Sequence, residues 1–183
     1  RAEHATRAPL RPEDAGARRA GDPVKLTGDI STARDAAHKR LVDLLRDGKP
    51  LPMPLDGQVI YYVGPSPTPP GKPIGSAGPT TSGRMDPYAP ILIERGLRGM
   101  IGKGERSAGV VEAMQKHGCV YFAATGGAAA LLSKRIVSAE VIAYPELGAE
   151  AISKLKVENF PVIVAQDRYG GNIYRDGQKR YAR

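Results

Sequence analysis

Three short segments carry side chains suited to holding an anion. In SAGPTTSGRMD (76–86) the hydroxyls of Thr80 and Thr81 lie between Gly78-Pro79 and Ser82-Gly83-Arg84, directly before a predicted helix. Glycines let a backbone approach a ligand closely, helix-start N–H groups favour an anion, and an arginine grips a carboxylate through two parallel N–H bonds. The same residues also suit a plain helix start, with Thr80–Ser82 as caps and Arg84 in solvent. In GKGERS (102–107) Lys103 stands between two glycines at a strand end, where a cation meets a ligand with little steric cover. The spacing of a Walker loop is absent, so nucleotide binding gains no support. In STARDAAHKR (31–40) Arg34 falls in the first turn of a predicted helix, where the macrodipole mildly disfavours a cation. That placement implies an anion nearby, or else Asp35 next to it offsets the charge. His38, four residues on, shares the face of Arg34 and reads as structural.

Two further features are weaker. The run ATGGAAALL (124–132) has the small residues of a phosphate cradle, but no cation or acidic ribose partner completes a dinucleotide fingerprint. Close helix–sheet packing explains it better. Cys119 is the single cysteine of the chain. One thiol excludes an internal disulfide, a CxxC site and a self-contained iron–sulfur cluster. Its setting, HGCVYF, reads as a buried strand and a packed core thiol.

The elements that must position these residues alternate between strand and helix. VKLTGDI (24–30) is a predicted strand, and a helix follows from Ser31/Thr32, with Thr32 and Asp35 as a capping-box-like start and Gly48 with Pro50 as the stop. Ala33, Ala37, Leu41, Leu44 and Leu45 repeat at helical spacing along it. Nine of the sixteen prolines fall between 49 and 79. Within that stretch GQVIYYVG (57–64) is a strand and PSPTPPGKP (65–73) a loop, either a connector or a substrate-facing segment. Then come a helix over 85–96, a short strand at 99–104, an amphipathic helix over 107–118 ended by Gly118, and a strand at 119–124. A small-residue helix (126–135), strands at 136–144 and 160–167, and a short helical or irregular piece between those two strands complete the order. The alternation predicts an α/β fold. Residues 1–22 read as a mobile or partner-wrapping arm, 23–174 as the folded domain and 175–183 as a basic tail.

Composition bounds the function. The chain has 183 residues, is 41% hydrophobic, and lacks Trp, so its core is aliphatic with Tyr support. That length suits one domain. No apolar run approaches the ~20 residues of a membrane span. The polar amino end shows no signal-peptide core, which with the missing span predicts a cytoplasmic protein. It opens on Arg1 rather than Met, as a processed or trimmed chain does. The net charge of +8 is concentrated at the ends: residues 1–20 hold +2 and residues 171–183 hold +3. A near-neutral body argues against a nucleic-acid groove, leaving only RNA binding through the basic ends as an alternative of that class.

Taken together, TARDAAHKR, SAGPTTSGRMD, MIGKGERS, ATGGAAALL and AYPELGAEAI resemble, in order, the C-terminal domain of class I iron–sulfur-dependent fumarate hydratases, a separate β subunit in some members. The resemblance runs from about Leu10 to about Tyr174. It implies a swivelling β/β/α domain, a mixed sheet with helices packed on it. It further implies that Arg34 and Arg84 bind substrate, that Thr80 and Lys103 are catalytic, and that fumarate and (S)-malate are interconverted. The implied cofactor is a 4Fe–4S cluster bound by a partner α subunit and not by this chain, with no metal held here. The implied assembly is of the α2β2 type, or a homodimer when the chain is isolated. Tartrate dehydratase β subunits share the layout, and Gly83 before Arg84, with YPELGAEAI, favours the fumarase branch. A non-catalytic dicarboxylate-binding module is the other alternative.

Overall fold

Alternation of side-chain direction along each strand sorts the residues to two sides of one sheet. In this computed structural model, which describes residues 4–64, 70, 71, 73, 80–124 and 132–176, there are seven strands. They are β1 (His4–Ala8), β2 (Pro23–Thr32), β3 (Val59–Tyr61), β4 (Gly99–Gly102), β5 (Val120–Ala124), β6 (Ile136–Ala143) and β7 (Ile152–Gln166). The helices are α1 (Pro12–Ala17), α2 (Asp35–Arg46), α3 (Ala89–Glu94) and α4 (Ala108–His117), with 3₁₀ turns at Ser82–Met85 and Pro145–Glu150.

Strands β1 to β5 pair in parallel with their neighbours, in chain order. The long β7 runs antiparallel to both β5 and β2. The circuit β2–β3–β4–β5–β7–β2 therefore closes on itself, with β1 carried outside on β2 and β6 on β7. Side chains of one parity fill the interior: Leu26 and Ile30, Val59 and Tyr61, Ile101, Val120 and Phe122, and the β7 residues Leu155, Val157, Phe160, Val162 and Val164. Tyr61 and Phe160 meet edge to face at 5.4 Å between ring centroids, the geometry that ring quadrupoles favour. Residues of the other parity, Ile60, Tyr62, Met100 and Tyr121, face outward and pack under Ala37 and Leu41 of α2, Leu92 and Ile93 of α3, and Val110 and Met114 of α4. The period-2 switch of faces thus supplies both layers of the core. The fold is mixed α/β.

Several boundaries differ from the sequence expectation. The arm expected at 1–22 is largely structured: β1 pairs with β2 from His4↔Val24 to Ala8↔Gly28, and Ala8, Leu10 and Ala15 are buried. A five-residue strand of small side chains and a six-residue helix carry too little periodicity to be read without their tertiary partners. Helix α2 begins at Asp35, with Arg34 as its N-cap, so Arg34 lies just before the first turn. Thr32 does not cap it: its hydroxyl accepts from Ser153 N at 3.0 Å, across the sheet from β7. Strand β7 reaches back to Ile152 and absorbs half of the segment expected to be irregular. The expected 85–96 helix is split into the Ser82–Met85 turn and α3. The helix over 107–118 appears as α4, ended by Gly118 in the left-handed conformation. The glycine-rich run 125–131, most of the 65–73 loop and residues 177–183 lie outside the described residues.

Gly28 shows what holds β1 on. Its φ is +131°, and a Cβ there would strike the carbonyl of Ala8. Gly28→Ala is expected to lever β1 from β2 and cost roughly 3 kcal/mol. Urea unfolding should register the loss, and amide exchange should speed up at residues 4–8 first.

Candidate functional site

The anion-suited residues sit where the parallel strands end. In parallel sheets the carboxyl ends of the strands are the usual place for a ligand. Arg34 follows the end of β2 by two residues, and Lys103 immediately follows β4. Between these two strands β3 ends at Tyr61. Its continuation holds on for one more bond, Tyr62 N donating to Ile101 O at 2.8 Å. There the 80–82 segment takes over. Thr80 N donates to Tyr62 O at 2.7 Å, Thr81 bridges Lys103 in parallel, and Ser82 N donates to Lys103 O at 2.9 Å. The threonine pair and Lys103 are thus adjacent backbone neighbours although more than twenty positions apart. Arg84, in the turn that follows, donates from Nε to Asp35 Oδ2 at 2.9 Å, which ties it to the residue after Arg34. Thr80, Arg84, Lys103 and Arg34 therefore belong to one rim. Arg84 and Lys103 are exposed and Thr80 and Arg34 are half-buried.

Two glycines make room for this arrangement. A Cβ on Gly64 would come within 2.9 Å of Arg34 Nη1. One on Gly102 would collide with Ser82 Oγ and come within 2.8 Å of the Tyr62 ring. Bare backbone at both points lets a guanidinium and a turn pack directly on the strand ends.

The exposed residues rest on a buried polar layer that local sequence does not announce. Tyr121 OH donates to Gly104 O at 2.7 Å, so Ser82 Oγ, 2.7 Å from the same oxygen, is the donor in that contact. The Arg106 side chain is wholly buried, with its guanidinium 5.0 Å from the Tyr62 ring centroid and 4.9 Å from that of Tyr121. Its Nε donates to Asp86 Oδ1 at 2.7 Å, and the other oxygen of Asp86 accepts from Ser107 N at 2.9 Å, ahead of α4. One carboxylate thereby joins the turn bearing Arg84 to the loop bearing Lys103. Breaking such a buried pair leaves an uncompensated charge, so both loops are held firmly. An aspartate before a proline reads as a local helix cap. The helix that Asp86 serves lies twenty residues further on.

His38 is buried and has the structural role expected of it. Its Nδ1–H and its backbone N–H both donate to Arg34 O, at 2.8 and 2.9 Å, and its ring meets the edge of Tyr62 at 5.4 Å. Burial pushes its pKa down to about 4, so it is neutral at pH 7 and serves as a fixed donor that anchors the backbone at Arg34. Cys119 is fully buried, and burial pushes its thiol up to about 12. A sealed, protonated thiol is a poor metal ligand. Among the described residues no three His, Cys, Asp or Glu side chains are grouped as a metal site needs. The described side chains of this chain do not form a donor set that fits an iron–sulfur cluster.

The chain matches the family described as "Fumarase C-terminus" over residues 7–177. It belongs to that family. Its relatives include "Fumarate hydratase class I, anaerobic" of Escherichia coli (strain K12), 45% identical over 154 residues, which cover 83% of this chain and 28% of that protein. "Fumarate hydratase 2" of Leishmania major is 42% identical over 84% of this chain and 28% of its own length. "Putative L(+)-tartrate dehydratase subunit beta" of Methanocaldococcus jannaschii is 36% identical over 87% of this chain and 85% of its own. The chain thus spans under a third of the two fumarate hydratases and most of the Methanocaldococcus protein. Among the described residues no helix is long and apolar enough to cross a membrane.

The buried histidine gives the domain an acid-side weakness. The unfolded chain takes up a proton at His38 near pH 6.5, while the folded chain resists until about 4. Its contribution is therefore complete above pH 6.5 and shrinks as pH falls, by about 3 kcal/mol at pH 4. Denaturant melts of the wild type and His38→Gln at pH 7, 5.5 and 4 should show a shallower acid slope in the variant.

Proposed function

We propose that this domain is the β-type half of a hydro-lyase that adds water to, or removes it from, a four-carbon dicarboxylate, with fumarate and (S)-malate as substrates. The observation that carries the reading is the gathering of Arg34, Thr80, Arg84 and Lys103 on one rim in a member of the fumarase C-terminus family. Three cations at the strand ends are a chemically apt counterpart for a dianion. In this account Arg34 and Arg84 hold the carboxylates and Lys103 stabilises the charge that accumulates as the C3 proton leaves. Thr80 stands beside Lys103 and is assigned that proton transfer, with the neighbouring cations favouring its alkoxide. The cofactor belongs to a cluster-bearing α partner, because this chain offers one sealed thiol. The rim of strand ends is then the surface that closes over the partner, in the manner of a swivelling domain, and the active unit is a heteromer.

A second reading, tartrate as substrate, is favoured by the match along 85% of a protein named as a tartrate dehydratase β subunit. Co-expression with a cluster-bearing α subunit and anaerobic assay with malate and tartrate separates the two. Turnover by the isolated chain would overturn the subunit assignment. In the complex, Arg84→Ala and Lys103→Ala are each expected to depress kcat/KM about 10²-fold or more. Unchanged turnover in both would remove the catalytic reading and leave a binding module.

A further inference from the structure

Arg84 is engaged before any ligand arrives. Its Nε is bonded to Asp35 Oδ2 at 2.9 Å, while the side chain stays 61% exposed. A guanidinium has two faces for a carboxylate, a side-on face that uses Nε and an end-on fork formed by Nη1 and Nη2. Asp35 takes the first and leaves the second outward. The Asp35 side chain is only 31% exposed, and its Oδ1 is buried with no hydrogen-bond partner. Asp35 is therefore set close beside the cations; Glu150, the nearby acid, is committed to Ala36 N at 3.2 Å. Among the described residues neither Arg34 nor Lys103 has an ion pair of its own, so Asp35 is the acid set directly against the triad.

We propose that Asp35 is a specificity-determining residue, which orients Arg84 end-on to the substrate and repels a third carboxylate. The inference rests on the dicarboxylate reading given above and names what that site excludes. A fixed negative charge next to three cations costs a dianion little, because the remaining cations still pair with both of its ends. A trianion must set its third carboxylate near Asp35, and like charges brought together in a half-buried site are penalised strongly. The contact also denies Arg84 its side-on geometry, so the substrate carboxylate approaches from one direction.

The test uses the complex with its cluster-bearing partner, with succinate and propane-1,2,3-tricarboxylate as competitive probes. Asp35→Asn keeps size and an acceptor oxygen while removing the charge. Inhibition by the tricarboxylate should tighten about tenfold, inhibition by succinate should change less than about threefold, and kcat should fall about tenfold as Arg84 loses its anchor. A residue with a merely structural role would raise KM and leave the ratio of the two inhibition constants unmoved. Asp35→Ser, which places an uncharged hydroxyl in the first turn, provides the same comparison if Asp35→Asn folds poorly. An unchanged inhibition ratio in both variants, while Arg84→Ala still depresses kcat/KM about 10²-fold or more, overturns the role of Asp35 and leaves the dicarboxylate reading standing. Normal turnover in both Arg84→Ala and Lys103→Ala would remove the role of Asp35 together with the catalytic reading.

Discussion

The antiparallel ladder between β2 and β7 is the constraint on which the rest of the molecule depends. It runs from Pro23↔Ile163 to Ser31↔Lys154 and turns an open parallel sheet into a closed circuit. Closure gives the interior side chains a dry volume of their own and frees the outward face to take three helices. Beside it β2, β3 and β4 pair in parallel, so the ends of β2 and β4, which lead to Arg34 and Lys103, finish at one rim with the turn that bears Arg84.

The rim itself is assembled in two tiers with different electrostatics. Below lie groups removed from water and engaged by protein partners: Arg106 between two tyrosine rings with Asp86 as counter-ion, Ser82 bonded to Tyr121, and a neutral His38 fastened to the carbonyl of Arg34. Above lie the more accessible groups, Arg34, Thr80, Arg84 and Lys103. The lower tier spends its polarity on holding backbone, and the upper tier leaves more of its polarity at the surface. Pre-set geometry of this kind lowers the cost of ordering the site when an anion arrives.

Much of this was legible in the residues, and the exceptions share a cause. Helix α4 follows from its apolar spacing and from Gly118, which is in the left-handed conformation that a helix stop favours. The three anion-suited segments follow from glycines and cations placed at element boundaries. Strand β1, the N-terminal half of β7 and the N-cap role of Arg34 do not, because each is decided by a partner far along the chain. Thr32 has the look of a cap and bonds across the sheet to β7; Asp35 stands next to Arg34 and pairs with Arg84. Pro161, with Glu158 and Asn159 before it, hides the continuity of a fifteen-residue strand that its antiparallel neighbours sustain. Arg106 has no local sign of burial at all. Pairings of this kind are properties of the closed sheet, and a one-dimensional pattern does not contain them.

The sealed position of Cys119 makes the chain its own gauge of opening. The lone sulfhydryl lies under the helical layer at the start of β5, where a reagent reaches it only when the helices lift from the sheet. Alkylation at that atom therefore counts excursions of the whole outer layer, while fraying of the rim or the ends leaves it untouched.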